Sequence, residues 1–206
     1  SELDGQTYTV QYFERAVFEA HPQNRPPYDI LLSQLGTFQW RRVHPSGDIW
    51  ATLRARPLRV PTIAPGAVCP ATGGTIVHAA YGPALGPGPF YPVGLGTSGD
   101  LDYTGAVFPG PWTGQKVLWV GSAQYTGPAL LRGRQLDGPG EVRFGQGPDP
   151  VSEMQLSSAT SVAGTGGWRD WPGYTRVRGP GCYGYQVDGT DFSTIIVFAA
   201  HGSPVP

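Results

Sequence analysis

The sequence predicts a mainly β protein, with an antiparallel β-sandwich preceded by a small α+β segment that has one short helix. Three observations lead to this prediction. Glycine and proline make up about a quarter of the 206 residues, with 31 Gly and 22 Pro, so turns are frequent. The 6 Trp, 10 Tyr and 8 Phe are too many for a disordered chain. Beyond residue 69, short segments of strand length alternate with turn signals and show no helical periodicity.

Residues 1–57 are expected to form a small hairpin–helix–hairpin segment. Its first strand is indicated by the alternation of apolar and polar residues. Its helix is indicated by apolar residues at helical spacing, which follow two prolines and end at a glycine. In chain order, the predicted elements are a strand over 8–12, a short strand at Val17 and Phe18, a helix over Tyr28–Gly36, and strands over Phe38–Val43 and Ile49–Arg54.

A proline-rich stretch, 58–68, is predicted to be an extended linker to the sandwich domain at 69–206, because its prolines cannot serve a central strand. The span 82–114 is rich in Pro and Gly and is expected to be an ordered surface excursion, which makes it a candidate binding surface. Turn signals separate seven predicted strands: Thr75–Ala80, Lys116–Val120, Ala129–Arg134, Glu141–Phe144, Thr175–Arg178, Tyr183–Val187 and Ser193–Ala199.

The chain has two cysteines, Cys69 and Cys182. Neither lies in a C-x-x-C pair, and two cysteines alone do not make a zinc site. We predict one structural disulfide, since the chain otherwise has the character of an exported protein. The alternative is a nucleophilic or redox-active thiol. The sequence has no apolar run of membrane-spanning length and no signal peptide, so export requires that Ser1 follow a cleavage site or a boundary within a longer chain.

Two stretches resemble known families. Residues 4–19 are similar to LGFP-type cell-wall-associated repeats, except that Ala16 stands where the repeat prefers Gly and the glycine-rich half upstream is missing. A second set of motifs occurs at 114–119 (GQKVLW), 127–138 (GPALLRGRQLDG), 167–169 (GWR) and 180–189 (PGCYGYQVDG). This order resembles uncharacterised secreted proteins of actinobacteria and Chloroflexi and, more remotely, bacterial immunoglobulin-like modules. The resemblance implies export and an immunoglobulin-like sandwich, and it implies no reaction.

The most informative motif is the segment 168–174, Trp-Arg-Asp-Trp-Pro-Gly-Tyr. Trp168, Arg169, Trp171 and Tyr174 would form a platform that stacks on sugars or on a protein partner. The alternative is a loop folded over the edge of the sandwich, with Trp–Arg stacking that covers the core. Trp112 is a further candidate ligand-binding residue, expected to anchor its loop.

Trp119, in contrast, lies in the middle of a predicted strand and is expected to be part of the core.

No catalytic constellation is apparent, so the sequence predicts no enzyme, no cofactor and no metal. The G-x-G-x-x-G motif at 94–99 lacks the preceding strand and following helix that a nucleotide site needs. The four His are scattered, and no G-x-S-x-G elbow occurs. The acidic pairs that would suit glycoside hydrolysis or calcium are Glu14/Glu19 and Asp188/Asp191, both expected to be solvated, and Asp100/Asp102, which lacks an EF-hand pattern.

Charge and motifs together predict a non-catalytic module that is extracellular or at the cell surface. The net charge of −1 provides no basic face for nucleic acid. The expected role is envelope architecture, adhesion or ligand binding, and the expected partner is a cell-envelope polysaccharide or protein, with carbohydrate as the favoured small ligand. Two alternatives remain: a subunit that self-assembles into an extracellular fibre or layer, and a secreted hydrolase.

Overall fold

The computed structural model describes residues 2–3, 6–7, 9–12, 17–27, 29–32 and 47–203. The chain forms two compact units, Ser1–Ala51 and Thr52–Pro206. Antiparallel strands dominate the described residues of both units, and this confirms the predicted mainly β class.

The first unit contains five short strands: β1 (Glu2–Leu3), β2 (Gln6–Thr7), β3 (Thr9–Tyr12), β4 (Val17–Ala20) and β5 (Ile30–Leu32). β1 pairs with β2, while β3, β4 and β5 form an antiparallel sheet in that order. β3 and β4 confirm the two strands predicted nearest the N-terminus.

The predicted helix over Tyr28–Gly36 is wrong where the structure describes it, because Ile30–Leu32 is strand β5. Phe18 of β4 lies opposite Leu32. A run of three apolar residues fits a helix or a strand, and pairing with β4 decides the outcome. The remaining residues of the predicted helix, Tyr28 and 33–36, and the predicted strand Phe38–Val43 lie outside the described residues.

Ile49–Arg54 forms helix α1, so the strand predicted there is also wrong. The backbone N–H of Trp50 donates to Oδ1 of Asp48 at 3.0 Å. Asp48 therefore caps the N-terminus of the helix, and Ala51, Leu53 and Arg54 favour its continuation.

Two sheets make up the second unit. The seven-stranded sheet contains β6 (Gly74–Ile76), β7 (Pro83–Leu85), β8 (Phe90–Val93), β10 (Thr113–Gly121), β12 (Arg143–Phe144), β14 (Val162–Ala163) and β15 (Arg169–Val177). The five-stranded sheet contains β9 (Asp100–Asp102), β11 (Ala129–Gln135), β13 (Glu153–Leu156), β16 (Gly181–Gly189) and β17 (Ser193–His201). A single turn of 3-10 helix, Thr165–Gly167, precedes β15.

The order of the seven-stranded sheet is β12–β15–β10–β8–β7–β6, with β14 also paired to β15. The order of the five-stranded sheet is β13–β11–β16–β17–β9, in which β9 runs parallel to β17. Strands β10, β11, β16 and β17 confirm four predicted strands and extend each of them by one to four residues.

Other strand predictions need correction. Regular strand covers only residues 75–76 of the region predicted as Thr75–Ala80, and only 143–144 of Glu141–Phe144. β15 begins at Arg169, well before the predicted start at Thr175, so it runs through the segment 168–174. The span 82–114, expected to be a surface excursion, contains β7, β8 and β9. Its prolines argue against strands, yet Pro83 lies opposite Ile76 of β6 and Pro92 opposite Trp119 of β10, so the sheet accommodates both.

The two sheets of the second unit share one core. Trp119 of β10 is 1% exposed, as predicted, and its ring packs edge-on against Tyr185 of β16 with centroids 5.2 Å apart. The hydroxyls of Thr175 in β15 and Tyr185 lie 2.7 Å apart. Tyr185 also stacks on Phe198 of β17 at 4.4 Å. These contacts fix the side of each strand that faces inward.

Cys69 and Cys182 form the predicted disulfide, with Cα atoms 5.3 Å apart. The thiol alternative is therefore wrong for both residues.

The stretch 58–68, predicted to be a linker, has no regular helix or strand, turns at 65–67, and is hydrogen-bonded to the five-stranded sheet. The Arg59 backbone N–H donates to Oε1 of Gln186 at 2.6 Å, and Arg134 Nη2 donates to the Val60 carbonyl at 3.1 Å. The Ile63 N–H donates to the Leu136 carbonyl at 2.7 Å. Val60 is buried with Leu136 in a small apolar cluster beside the disulfide.

The burial of two core tyrosines predicts that the folded protein loses stability at alkaline pH. Burial raises the pKa of Tyr185 and raises that of Tyr183 to about 12. Above about pH 10 the unfolded chain loses phenolic protons that the folded chain keeps. We therefore expect the free energy of unfolding in urea to be constant below that pH and to fall as the pH rises towards 12. A urea midpoint that stays unchanged over this range would contradict the burial of both phenols.

Candidate functional site

The outer face of the seven-stranded sheet is set by the pairing of β10 with β15. Trp119 lies opposite Trp171, and both are buried in the core. Directly opposite residues share a face of the sheet, and successive side chains of one strand point to alternate faces. The residues that precede and follow Trp119 and Trp171 therefore lie on the outer face. The outward pairs are Lys116 with Tyr174, Leu118 with Pro172, and Val120 with Asp170.

Tyr174 lies in a groove of about 420 Å³ on this outer face, which we call the Tyr174 groove. The ring of Phe108 packs edge-on against Tyr174, with centroids 5.6 Å apart. Lys116, Gln146 and Asp102 also line the groove. It therefore combines an aromatic wall with charged and amide side chains.

Arg176 holds the loops that build this groove. Its side chain is fully buried, and its guanidinium lies 3.7 Å from the centre of the Phe108 ring. A Cβ on Gly114, directly opposite in β10, would lie 3.0 Å from Cδ of Arg176, so glycine leaves room for the side chain. The guanidinium donates at 3.1–3.3 Å to the carbonyls of Trp112, Thr113, Gly145, Gln146 and Gly147.

The charge of Arg176 has no acidic partner. Among the residues that the structure describes, no carboxylate forms an ion pair with it. Burial lowers the pKa of the guanidinium, but arginine stays protonated in proteins. The groove therefore lies above a buried positive charge that only carbonyl dipoles offset.

Trp168 belongs to a second aromatic group at the other end of the same face. Its ring centroid lies 5.4 Å from His78, 5.6 Å from Tyr81 and 6.0 Å from Tyr91. We call these four residues the Trp168 cluster. The Tyr81 hydroxyl donates to Oδ1 of Asp170 at 2.6 Å, and burial followed by this hydrogen bond raises the pKa of Tyr81. The cluster is therefore anchored to β15 and remains partly exposed.

Arg169 and Trp171 lie on the opposite, inner side of β15. Trp171 is 2% exposed, and its indole N–H donates to the Ser157 carbonyl at 3.2 Å. The Arg169 guanidinium stacks on Trp171 at 5.3 Å and donates to the Tyr125 carbonyl. This is the Trp–Arg arrangement over the core that the sequence left as an alternative. The structure thus separates these two residues from Trp168 and Tyr174.

Trp112 lies just before β10, beside a smaller cleft of about 270 Å³. It is buried, with the guanidinium of Arg178 at 4.5 Å and that of Arg143 at 5.9 Å from its ring. Arg143 also pairs with Glu141 at 2.7 Å. Trp112 therefore supports Arg178 and offers a ligand little ring surface of its own.

Asp188 was expected to be solvated, and this is wrong. Its carboxylate is fully buried, 2.7 Å from Arg132 Nη2 and 2.7 Å from the Ser193 hydroxyl. Gln186 donates to the same carboxylate. This network lies in the five-stranded sheet, and Asp191 is exposed beyond it. Of the other candidate pair, Glu14 lies outside the described residues.

The remaining sequence motifs do not build a metal or nucleotide site. A strand, β8, does precede the glycine motif 94–99, contrary to expectation, but strand β9 follows it where a nucleotide site needs a helix. Asp100 and Asp102 each have a carboxylate oxygen 3.9 Å from a ring nitrogen of His201. Among the described residues, no group of three or more His, Cys, Asp or Glu is arranged to hold a metal ion.

The sequence did not identify Phe108, Lys116, Gln146 or Arg176 as site residues. The sequence around them carries no period-two signal, since the large apolar residues of 169–177 are Trp171, Tyr174 and Val177, and it is strand β15 that places Tyr174 and Arg176 on one face. Phe108 and Gln146 come from loops whose approach to β15 depends on tertiary structure.

Comparison of the chain with protein-family models, with curated proteins and with solved structures found no match. Within the described part of the chain, no helix has both the length and the apolar character needed to cross a membrane. Function is therefore inferred from the outer face of the seven-stranded sheet.

Proposed function

We propose that this chain is a non-catalytic module of the cell surface or envelope that binds carbohydrate on the outer face of its seven-stranded sheet. The Tyr174 groove is the observation that carries this proposal. Sugar rings have apolar C–H faces that stack on aromatic side chains, and hydroxyls that need hydrogen-bonding groups. Tyr174 and Phe108 supply the aromatic rings for stacking, and Lys116 and Gln146 supply the hydrogen-bonding groups.

The length of the outer face favours a polymer over a single sugar. Tyr174 lies in β15, and Trp168 immediately precedes this strand with an extended backbone, so six residues separate them, which corresponds to about 20 Å. Leu118 and Pro172 form an apolar surface between these two positions. A chain of several sugar rings matches this spacing, with one aromatic group at each end.

Export and an immunoglobulin-like sandwich complete the proposal. The disulfide Cys69–Cys182 supports folding in an oxidising compartment. Two antiparallel sheets with a common core support the sandwich, and the resemblance of the sequence motifs to those of secreted bacterial proteins favours both features.

Self-assembly through strand addition is less favoured. The edge strands β6 and β9 have three residues each, and β13 has four. Short edges present few free backbone groups to a neighbouring chain.

Replacing Tyr174 with Ala tests the carbohydrate site. We expect a loss of roughly tenfold in affinity for a soluble cell-envelope polysaccharide, since stacking on one aromatic ring contributes about 1–2 kcal/mol. Tyr174→Phe keeps the ring and should retain most of the binding, as measured by isothermal titration calorimetry.

Ile195→Ala provides the matched control for Tyr174→Ala. Ile195 is partly exposed on β17 and lies opposite Gln186 of β16. Both strands belong to the five-stranded sheet, so truncating Ile195 removes apolar surface away from the groove. Equal binding by the wild type and Tyr174→Ala, or no binding to any envelope polysaccharide, would count against the proposed function.

A further inference from the structure

We propose that the Tyr174 groove selects an acidic polysaccharide, whose carboxylate, sulfate or phosphate groups are held by the cations of the outer face. This inference rests on the proposed carbohydrate-binding function and adds the charge of the ligand to it.

Lys116 provides the first argument. It is the only lysine of the chain, and it lies on the outer face directly opposite Tyr174. Its side chain is exposed and forms no ion pair or hydrogen bond within the described residues. An anionic group on a sugar stacked against Tyr174 would therefore meet an uncompensated ammonium.

Two arginines extend the positive charge beyond the groove. Arg176 is buried beneath Phe108 with carbonyl partners alone. Arg178 lies two residues further along the chain, just beyond β15, is exposed, and packs over Trp112 without a carboxylate among the described residues. Trp112 and Phe108 hold these guanidinium groups through cation–π contacts, so both charges are positioned before a ligand arrives.

The acidic groups nearby do not cancel this charge. Asp102 lines the groove, and hydrogen bonds from Thr104 lower its pKa, so it stays ionised near neutral pH. Glu141 is paired with Arg143. Three cations without a carboxylate partner among the described residues therefore lie in or beside a groove whose acidic lining residue is Asp102, in a chain whose net charge is −1. This local excess favours an anionic ligand.

The same features favour a saccharide over single-stranded nucleic acid. Nucleic acid carries one phosphate per nucleotide and is usually held by a continuous basic groove. Here the cations occupy one end of the face, whereas the Trp168 end contributes Asp170, His78 and tyrosines. This arrangement suits a polymer that has anionic groups at intervals and apolar ring faces between them.

The test compares ligands that differ only in charge. Oligogalacturonate has a carboxylate on each ring, and its methyl ester has the same backbone without the charge. We expect the full chain to bind oligogalacturonate roughly tenfold more tightly than the ester in isothermal titration calorimetry, with a preference that decreases as salt is added. Dextran sulfate and unsulfated dextran provide the equivalent pair for sulfate groups, and oligothymidylate is the nucleic-acid probe.

Charge-removing variants locate the effect. Lys116→Gln and Arg178→Gln should each weaken binding of oligogalacturonate more than binding of the ester, which reduces the preference for the acidic ligand about threefold. Arg59→Gln is the matched control, because Arg59 is exposed and lies against the five-stranded sheet. It should leave both affinities unchanged.

The outcomes separate this inference from the proposed function. Equal, Tyr174-dependent binding of acid and ester would overturn the selectivity and leave the carbohydrate site intact. Absence of binding to every saccharide would overturn both proposals. Binding of acidic polymers that survives Tyr174→Ala, or tighter binding of oligothymidylate than of any saccharide, would also overturn the inference.

Discussion

Replacing Arg176 with Leu is expected to lower the free energy of unfolding by about 3 kcal/mol, measured by urea denaturation. The side chain has no exposed surface and satisfies five backbone carbonyls. The carbonyls of Gln146 and Gly147 lie in an exposed loop and can turn to water, whereas those of Trp112 and Thr113 belong to buried residues. Leu would leave these two without a donor.

The same substitution should weaken saccharide binding, because Phe108 loses the guanidinium on which it packs. Arg178→Leu is the matched control: Arg178 is exposed, and its removal should cost less than about 1 kcal/mol of stability. Arg176→Lys keeps the charge without the planar fork and should still destabilise the chain. Equal stability of Arg176→Leu and Arg178→Leu would show that Arg176 does not organise these loops.

Removing the disulfide with Cys69→Ala and Cys182→Ala together is expected to lower the free energy of unfolding by about 4–5 kcal/mol. The bond joins residues 113 positions apart, so its loss greatly increases the freedom of the unfolded chain. Urea denaturation of the oxidised protein and of the double variant measures the difference.

The denaturant dependence gives a second readout for the disulfide. The double variant should show a steeper dependence on urea, because its unfolded state exposes more surface. The stretch 58–68 would then rely on hydrogen bonds such as that from Ile63 to Leu136. A loss of less than about 1 kcal/mol would mean that these bonds, and not the disulfide, hold the segment in place.

Strands of the second unit could be predicted from sequence where runs of apolar, β-branched or aromatic residues contain no proline. The segments at 116–120 and 193–199 are examples, and both lie within long strands. The segment 168–174 is predicted to be a platform or, alternatively, a loop over the edge of the sandwich, whereas most of it belongs to strand β15, in which Pro172 lies opposite Leu118 of β10. The short apolar runs at Ile30–Leu32 and Ile49–Arg54 could not be assigned by pattern, since pairing with β4 and capping by Asp48 decide them.

Trp168 and Tyr174 could be proposed as site residues from the sequence, but Phe108 and the organisation of the site could not. Trp168 and Tyr174 face outward, as a platform requires. Trp171 faces the core, because side chains along β15 alternate between the outer face and the core. The role of Arg176 depends on carbonyls from two loops about 30 and 60 residues away, and no local pattern records that. Asp188 was misjudged for the same reason, since its partner Arg132 lies in another strand.

A nuclear magnetic resonance titration of the isotope-labelled chain with oligogalacturonate examines the binding face most directly. We expect the largest amide shifts at Gln115–Val117, at Tyr174–Arg178 and at Phe108, and weaker shifts at the same residues with the methyl ester. Shifts confined to the five-stranded sheet, or no shifts with any saccharide, would contradict a binding site on the outer face of the seven-stranded sheet.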